Sequence, residues 1–577
     1  MRSHLRRAAT ALAAWVAYGL VAALVALPVA TVWALQHASF EDRLGAFPVV
    51  VSLSHDGRST IDTGILGKVY WERTGPGGFG ADIRSTGPPE AGGTLSSYVT
   101  PEFLQVNASF VEEPGEVART YGEELRDRVL GELLRLEALV AVGVGGLLAL
   151  AFRGRAPAYL RGRGTLRWRV GVVTALLASG VALSTVIGLQ MFFAWGDDAD
   201  PDAAYPMPGV EGLSFSSPQT VEVARQVRPF IEKNEARFEQ DAQAYEEAVT
   251  ASFETELALH DLTPREGERV VLAEADPQGS LVGTRARRAV YPMLEEALGG
   301  EDAIVVRTIS GDISSNGTVA EEGFVRGEAE AGPDFPTVAA KGDHDSAITM
   351  EQLREYGVHT PDRELVEVDG IQVAGAADPA FKQLFGGLVT NESGLEEDEL
   401  GAELREVVDD ADLDDETPLV VLLHQPRAVA GYLGTSSTAD LADSVGHETE
   451  PWDDGVDDVP PGIVNYGHLH DVAGPWVLWN TGDPDDPDAE VTWTVVSQLG
   501  TSGGVLETPT FNRFSTPFSV PLKDVGMQLQ YVDEESGLPT GYVQIDVAVD
   551  GAVTIADRVD VGLPGGQPMT RAELGLD

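Results

Sequence analysis

Two kinds of hydrophobic pattern divide this chain. The first third carries long unbroken apolar runs over residues 8–35, 138–152 and 170–195. A helix needs about 20 apolar residues to cross a bilayer. The first and third runs exceed that. The second is Gly-rich (Gly143, Gly145, Gly146) and reaches the length with Leu133, Leu134 and Leu136. The last half shows short apolar runs instead, at 269–272, 303–306, 337–340 and 419–423, with a helical stretch predicted over 285–298. Short strands alternating with helices predict an α/β domain with chemistry at its strand ends.

Between the first two apolar runs the pattern is that of a small β-rich module. Residues 49–53 and 59–62 flank His55-Asp56-Gly57-Arg58, and Asp-Gly between apolar runs signals a hairpin. A polar helix over 116–134 leads into the second run. After the third run comes an acidic linker. From Ser217-Pro218 onward, Val227, Ile231, Phe238, Ala242, Tyr245, Val249, Phe253 and Leu257 repeat at helical spacing, as an amphipathic helix packed on the next domain would. The resulting organisation is a first transmembrane helix (1–39), an extracytoplasmic β-rich module (40–132) and a transmembrane hairpin (133–195). A linker and amphipathic helix (196–265) and an α/β domain (266–577) complete it.

Charge orients the spans. Arg2, Arg6 and Arg7 precede the first, and Arg153, Arg155, Arg161, Arg163, Arg167 and Arg169 separate the second from the third. Neither stretch contains Asp or Glu, so the positive-inside rule makes both cytoplasmic. The 40–132 module and everything after 196 are then expected outside, in a multi-pass cell-membrane protein. The first apolar run is far longer than the about 7–15 residues of a signal-peptide core, which favours an anchor over a cleaved leader. No charged site stands out within the spans, which disfavours a transporter or channel.

Composition narrows the function. Net charge is −53, from 92 acidic and 39 basic residues. Phosphate contacts need Lys and Arg, so nucleic acid is not an expected partner. The acidic, Lys-poor composition fits either a high-salt environment or compositional drift. There is no cysteine, which excludes disulfides, thiol catalysis and Cys-ligated zinc. The acidic run Asp483-Pro484-Asp485-Asp486 lacks EF-hand spacing and reads as a solvated loop.

The candidate chemistry lies in five islands beside the strand-like runs. They are Asp276-Pro277-Gln278, Gly311-Asp312, Gly342-Asp343-His344-Asp345, His424-Gln425-Pro426 and Gly467-His468-Leu469-His470. Only ten His occur in 577 residues, and four of them sit in the last three islands. Several His and carboxylates, with one carboxylate shared, suit two divalent cations about 3.5–4 Å apart. No Ser, Cys or Lys nucleophile motif accompanies them.

In order and spacing the islands resemble the calcineurin-like metallophosphoesterases. That family shows Asp-X-His, Gly-Asp, Gly-Asn-His-Asp, a His followed by His or Asp and Pro, and Gly-His-X-His. The whole layout is similar to membrane-anchored actinobacterial members, as are the segments 375–379 and 498–504. The resemblance implies a β-sandwich flanked by helices over about 266–560. It also implies two divalent metal ions (Mn, Fe or Zn). One would be held by Asp276, Asp312, His470 and Gln278. The other would be held by Asp312, Asp343, His424 and His468. His344 would face the leaving group, with Asp345 orienting it. The implied activity is hydrolysis of a phosphate mono- or diester by a metal-bridging hydroxide. The substrate would be a phosphorylated small molecule or envelope component.

Three departures bear on this. Gln278 stands at a His position, and an amide is a poorer ligand for these metals than imidazole, so the first metal site is weakened. Asp343 replaces Asn, and Gln425 replaces His or Asp. The alternative is therefore a degenerate, catalytically weak or inactive relative that binds a ligand or partner without turnover.

Overall fold

The computed structural model describes residues 2–44, 47–55, 58–62, 68–72, 79–86, 114–151, 166–195, 205–208, 213–216, 218–300, 303–332, 335–382, 389–391, 393–411, 413, 417–439, 441, 456, 459–505 and 521–576. Asn107-Ala108-Ser109, which fits a glycosylation sequon, most of the Arg-rich loop and parts of 427–460 lie outside the described residues. The chain forms a mixed α/β structure in two compact units. One comprises residues 1–90 and 107–229, the other 91–106 and 230–577.

In the first unit three helices, Arg2–His37, Pro114–Ala151 and Leu166–Ala194, are long and apolar enough to cross a membrane. The polar helix and the second span form one unbroken helix, so the expected boundary at 132 falls inside it. Helix contact rests on small residues. A Cβ added at Gly145 would lie 2.6 Å from Gly19 Cα, and one at Gly188 would lie 3.0 Å from the Pro28 carbonyl oxygen.

The same unit holds a seven-stranded sheet. Its strands are β1 (Ser39–Leu44), β2 (Phe47–Ser54), β3 (Arg58–Asp62), β4 (Lys68–Glu72), β5 (Gly80–Ser85), β6 (Tyr205–Pro206) and β7 (Leu213–Phe215). Their order is β1-β2-β5-β3-β4-β7-β6. Part of the expected linker thus completes the module, as β7 pairs with β4. Tyr121 donates to buried Asp42 at 2.9 Å, tying the second long helix to β1.

The second unit is a sandwich of two sheets with helices outside. One sheet contains β8 (Glu268–Glu274), β9 (Ile304–Ser310), β10 (Thr337–Ala340), β19 (Val525–Asp533), β20 (Pro539–Val547), β21 (Val553–Ile555) and β22 (Val559–Asp560). The other contains β11 (Glu364–Val368), β12 (Ile371–Gly375), β15 (Leu419–Leu422), β16 (Gly462–Tyr466), β17 (Ala473–Asn480), β18 (Glu490–Gln498) and β23 (Met569–Thr570). A small hairpin joins β13 (Ala380–Lys382) to β14 (Val389–Asn391).

Val271, Val306 and Val338 from one sheet meet Val373, Val420, Leu422 and Ile463 from the other in a fully buried layer. Each such side chain contributes about 1.5–3 kcal/mol by leaving water. Outside the first sheet pack Tyr245, Val249 and Phe253 and the helix Leu281–Leu298. Outside the second pack the helices Glu397–Asp410 and Pro426–Leu433. The helix expected from Arg285 starts at Leu281, because the Ser280 hydroxyl caps it by accepting from Gly283 N at 3.2 Å.

Strand direction positions the site. β8, β9 and β10 are mutually parallel, as are β12, β15, β16 and β18. Every island therefore leaves the C-terminal end of a parallel strand, where an α/β domain assembles its ligand sites.

Candidate metal centre

Each candidate side chain sits two to five residues past a strand end, in a turn the sheet cannot continue. Five of the seven described non-glycine residues with positive φ are site residues: Asp276 (51°), Gln278 (41°), Asp312 (55°), His468 (71°) and His470 (58°). That backbone costs about 1–3 kcal/mol per residue and persists only where the surroundings enforce it. They do so here through hydrogen bonds between islands. Asp276 N donates to Gly311 O, Gln278 N to Asp312 O and Gly467 N to His424 O. The turns also pass at contact distance. A Cβ at Gly342 would lie 2.1 Å from Asp312 N, and one at Gly467 would lie 2.3 Å from Asp276 Oδ2.

The islands converge on one buried cluster. Three overlapping groups have ligand atoms close enough to hold a metal ion: Asp276, Asp312 and His470; Asp343, His424 and His468; and Asp312, Asp343 and His344. His424 Nε2 lies 3.3 Å from Asp312 Oδ1 and 3.4 Å from Asp343 Oδ1. His468 Nδ1 is 3.7 Å from Asp343 Oδ1 and 3.3 Å from His424 Nε2. His470 Nε2 is 3.6 Å from Asp276 Oδ1. Asp312 and Asp343 are each common to two groups, so either carboxylate is placed to be shared.

Backbone carbonyls set the His rings. His424 Nδ1 lies 2.9 Å from Ser310 O, His470 Nδ1 3.0 Å from Val505 O, and His344 Nδ1 3.0 Å from Ser315 O. A carbonyl only accepts, so each Nδ1 carries the hydrogen and each Nε2 is turned toward the carboxylates. Metal-ligating His is held in this way. Asp343 Oδ1 is buried without a well-formed hydrogen bond, although three His nitrogens lie within 3.9 Å of it. A buried carboxylate oxygen surrounded by ring nitrogens is a donor that a cation would satisfy. These donors, oxygen and imidazole, fit a divalent transition metal.

The charges reinforce this. Burial pushes Asp276 well above the usual carboxylate range, and Asp312 and Asp343 push it further. Burial opposes ionisation of Asp312 as well, but His424 outweighs it and holds Asp312 at about 2. Asp343 is likewise lowered, its desolvation overcome by His424 and His468. His424 is raised well above a normal imidazole, since Asp312 and Asp343 overcome its burial. His470 is lowered to about 4, chiefly by burial. The carboxylates demand positive charge, which a proton on His424 or a bound cation supplies.

Gln278 is in the cluster, but its Nε2 donates to Asp312 Oδ2 at 2.9 Å, so it faces the shared carboxylate with a donor. Asp345 does not contact the His344 ring. Its carboxylate accepts from Gly342 N, Ile313 N, Ser314 N and the Ser314 hydroxyl at 2.8–3.1 Å, bracing two islands together. The ring's partner is Ser315 O. Gln425 lies beside Asp378, a buried carboxyl lifted to about 6 by desolvation. Asp378 lies in the segment 375–379 that the sequence marks as family-like without assigning it a role, and the three carbonyl anchors carry no side-chain pattern. Asp378 is near the site because β12 runs parallel to β15, so the segment after Gly375 emerges beside His424.

Neither the family models nor the curated proteins contain a match to this chain.

Proposed function

We propose that this chain is a membrane-anchored, outward-facing, metal-dependent phosphoesterase of the calcineurin-like kind, acting on a phosphate mono- or diester of a small molecule or envelope component. The observation that carries the reading is the set of three His nitrogens, from His344, His424 and His468, within 3.9 Å of buried Asp343 Oδ1, with the His344 and His424 rings fixed by backbone carbonyls. Sandwich architecture and the placement of the islands at parallel strand ends agree with it. The arginine clusters at 2–7 and 153–169 support an outward orientation.

Asp343, His424 and His468 would hold one cation, and Asp276, Asp312 and His470 a second. Bound divalent metal supplies Lewis acidity toward a phosphoryl oxygen and an activated water. The protein's part is to hold the donors rigid and to protonate the departing alcohol. His344 is placed for that, since its Nδ1–H is occupied by Ser315 O and its Nε2 faces the cluster.

Full-length protein in nanodiscs should hydrolyse bis(p-nitrophenyl) phosphate with added manganese and lose the activity with chelator. Asp343→Ala and His468→Ala should abolish it. A second reading, a binding module without turnover, is favoured by the Gln278–Asp312 hydrogen bond. It prevails if metal binds and no mono- or diester is hydrolysed.

A further inference from the structure

We infer that Glu321, well outside the islands, is a positioning residue for His344. The inference rests on the phosphoesterase reading.

Glu321 is 2% exposed and lies where the loop after Asp312 turns into a short helical turn, Val319–Glu321. Its carboxylate gathers the loop from inside. Oε1 accepts from Ser315 N at 3.0 Å, and both oxygens lie 3.2 Å from Asn316 N. Oε2 accepts from Thr318 N at 2.9 Å and from the Thr318 hydroxyl at 3.0 Å. A capping role needs only the Thr318 contacts. The bonds to Ser315 N and Asn316 N reach further, to the peptides on either side of Ser315, the second of which carries the Ser315 carbonyl.

That carbonyl accepts from His344 Nδ1. The Ser315 hydroxyl donates to Gln278 O at 2.7 Å, and the Ser346 hydroxyl donates to Gly317 O at 2.6 Å. The loop is thus clamped against the first island and the third. Glu321 supplies the acceptor at its centre; burial lifts its carboxyl to about 7, and in the ionised form such bonds are roughly twice as strong as neutral ones. Without them the Ser315 carbonyl is free to turn, and the His344 ring loses the partner that holds its Nε2 toward the leaving oxygen.

In the step concerned, a water oxygen bonds to phosphorus as the phosphorus–oxygen bond to the alcohol breaks. The alcohol oxygen takes the Nε2 proton of the His344 imidazolium. The attacking water gives up one proton to solvent, and solvent returns one to the ring. A basic leaving group needs the His344 proton, whereas p-nitrophenolate scarcely does. Misplacing His344 therefore steepens the dependence on the leaving group, which a general loss of folding does not.

The test is kcat/KM of the full chain on methyl aryl phosphates, from p-nitrophenyl to p-methoxyphenyl esters. Glu321→Gln should lower the p-methoxyphenyl rate about tenfold or more and the p-nitrophenyl rate less than about threefold, in the pattern of His344→Gln. Thr318→Val, which removes one donor to Glu321 and guards against misfolding of the first variant, should show the same slope more weakly. Equal losses across the series, or none, overturn the inference while leaving the phosphoesterase reading intact. Absence of hydrolysis by the parent chain overturns that reading and this inference with it.

Discussion

Gln278 donates from Nε2 to Asp312 Oδ2 at 2.9 Å, so the amide hydrogen points at the carboxylate oxygen that a cation between them would need. Asp312 Oδ1 meanwhile accepts from His344 N at 2.8 Å. To serve as a ligand, Gln278 must reverse its amide and give up this bond. Gln278→His removes the competing donor and adds an imidazole. The variant should retain close to one more equivalent of manganese or zinc than the parent after gel filtration, read by elemental analysis. Its affinity for that metal should rise at least about tenfold, a change of about 1.4 kcal/mol. Unchanged stoichiometry and affinity would show that Gln278 already ligates well.

Gly342 offers a test that leaves every ligand in place. A Cβ there would press on Asp312 N and Oδ1, both within 2.2 Å. Backbone and a buried carboxylate cannot yield that far, so Gly342→Ala should displace Asp312 from His424. Loss of bound metal to below half the parent value, with circular dichroism unchanged, is the expected result. Parent-like metal content would mean that Asp312 does not join the two groups.

Much of the site is legible in the sequence because strand ends that aim side chains also carry the unusual residue types. Asp312 and His468 are conspicuous beside apolar runs and in fact meet at one cluster. The fold is legible for the same reason, since the runs at 269–272 and 419–423 match β8 and β15. What stays hidden depends on backbone atoms or distant pairing. Ser315 contributes a carbonyl, which every residue has. Glu321 looks like one more acid in an acidic chain. Leu213–Phe215 reads as linker, and only pairing with Lys68–Glu72 makes it a strand.

Behind the first two islands lies a buried group of two cations and two anions. Arg287 bonds Glu274 at 2.6 Å and Glu328 at 2.8 Å, and Arg307 bonds the same two carboxylates. Burial opposes ionisation of Glu328, yet both arginines outweigh it and hold its pKa far below the ordinary 4.5. Glu328→Gln leaves cationic charge uncompensated and should cost about 3–5 kcal/mol. Because the folded pKa is depressed, the carboxylate's contribution is full above about pH 4.5 and fades as pH falls toward the folded value. Apparent melting temperatures of parent and variant should differ most at pH 7 and converge below pH 4.5. A constant gap would assign the loss to packing.

The two sheets are also pinned by a pair of amides. Asn465 Nδ2 donates to Gln530 Oε1 at 2.9 Å, and Gln530 Nε2 donates back to Asn465 Oδ1 at 2.7 Å. Both side chains are buried, and Asn465 is three residues before His468. Asn465→Ala leaves Gln530 Oε1 without its donor, while Nε2 keeps Gln528 Oε1 at 2.8 Å, and should destabilise the unit by about 1–3 kcal/mol. Asn465→Leu combined with Gln530→Met removes both polar groups and should recover part of that loss. Additive losses in the double variant would show that the two residues do not act as a pair.

Orientation can be tested directly because the chain contains no cysteine. Asp485 lies on an exposed turn between β17 and β18, and Arg161 lies in the basic stretch between the second and third spans. If the arginine clusters face the cytoplasm, three crossings put Asp485 outside. Asp485→Cys should react with a membrane-impermeant maleimide in intact cells, and Arg161→Cys only after the cells are opened. The reverse pattern would turn the candidate metal centre toward the cytoplasm, and the substrate proposed above would then be intracellular rather than an envelope component.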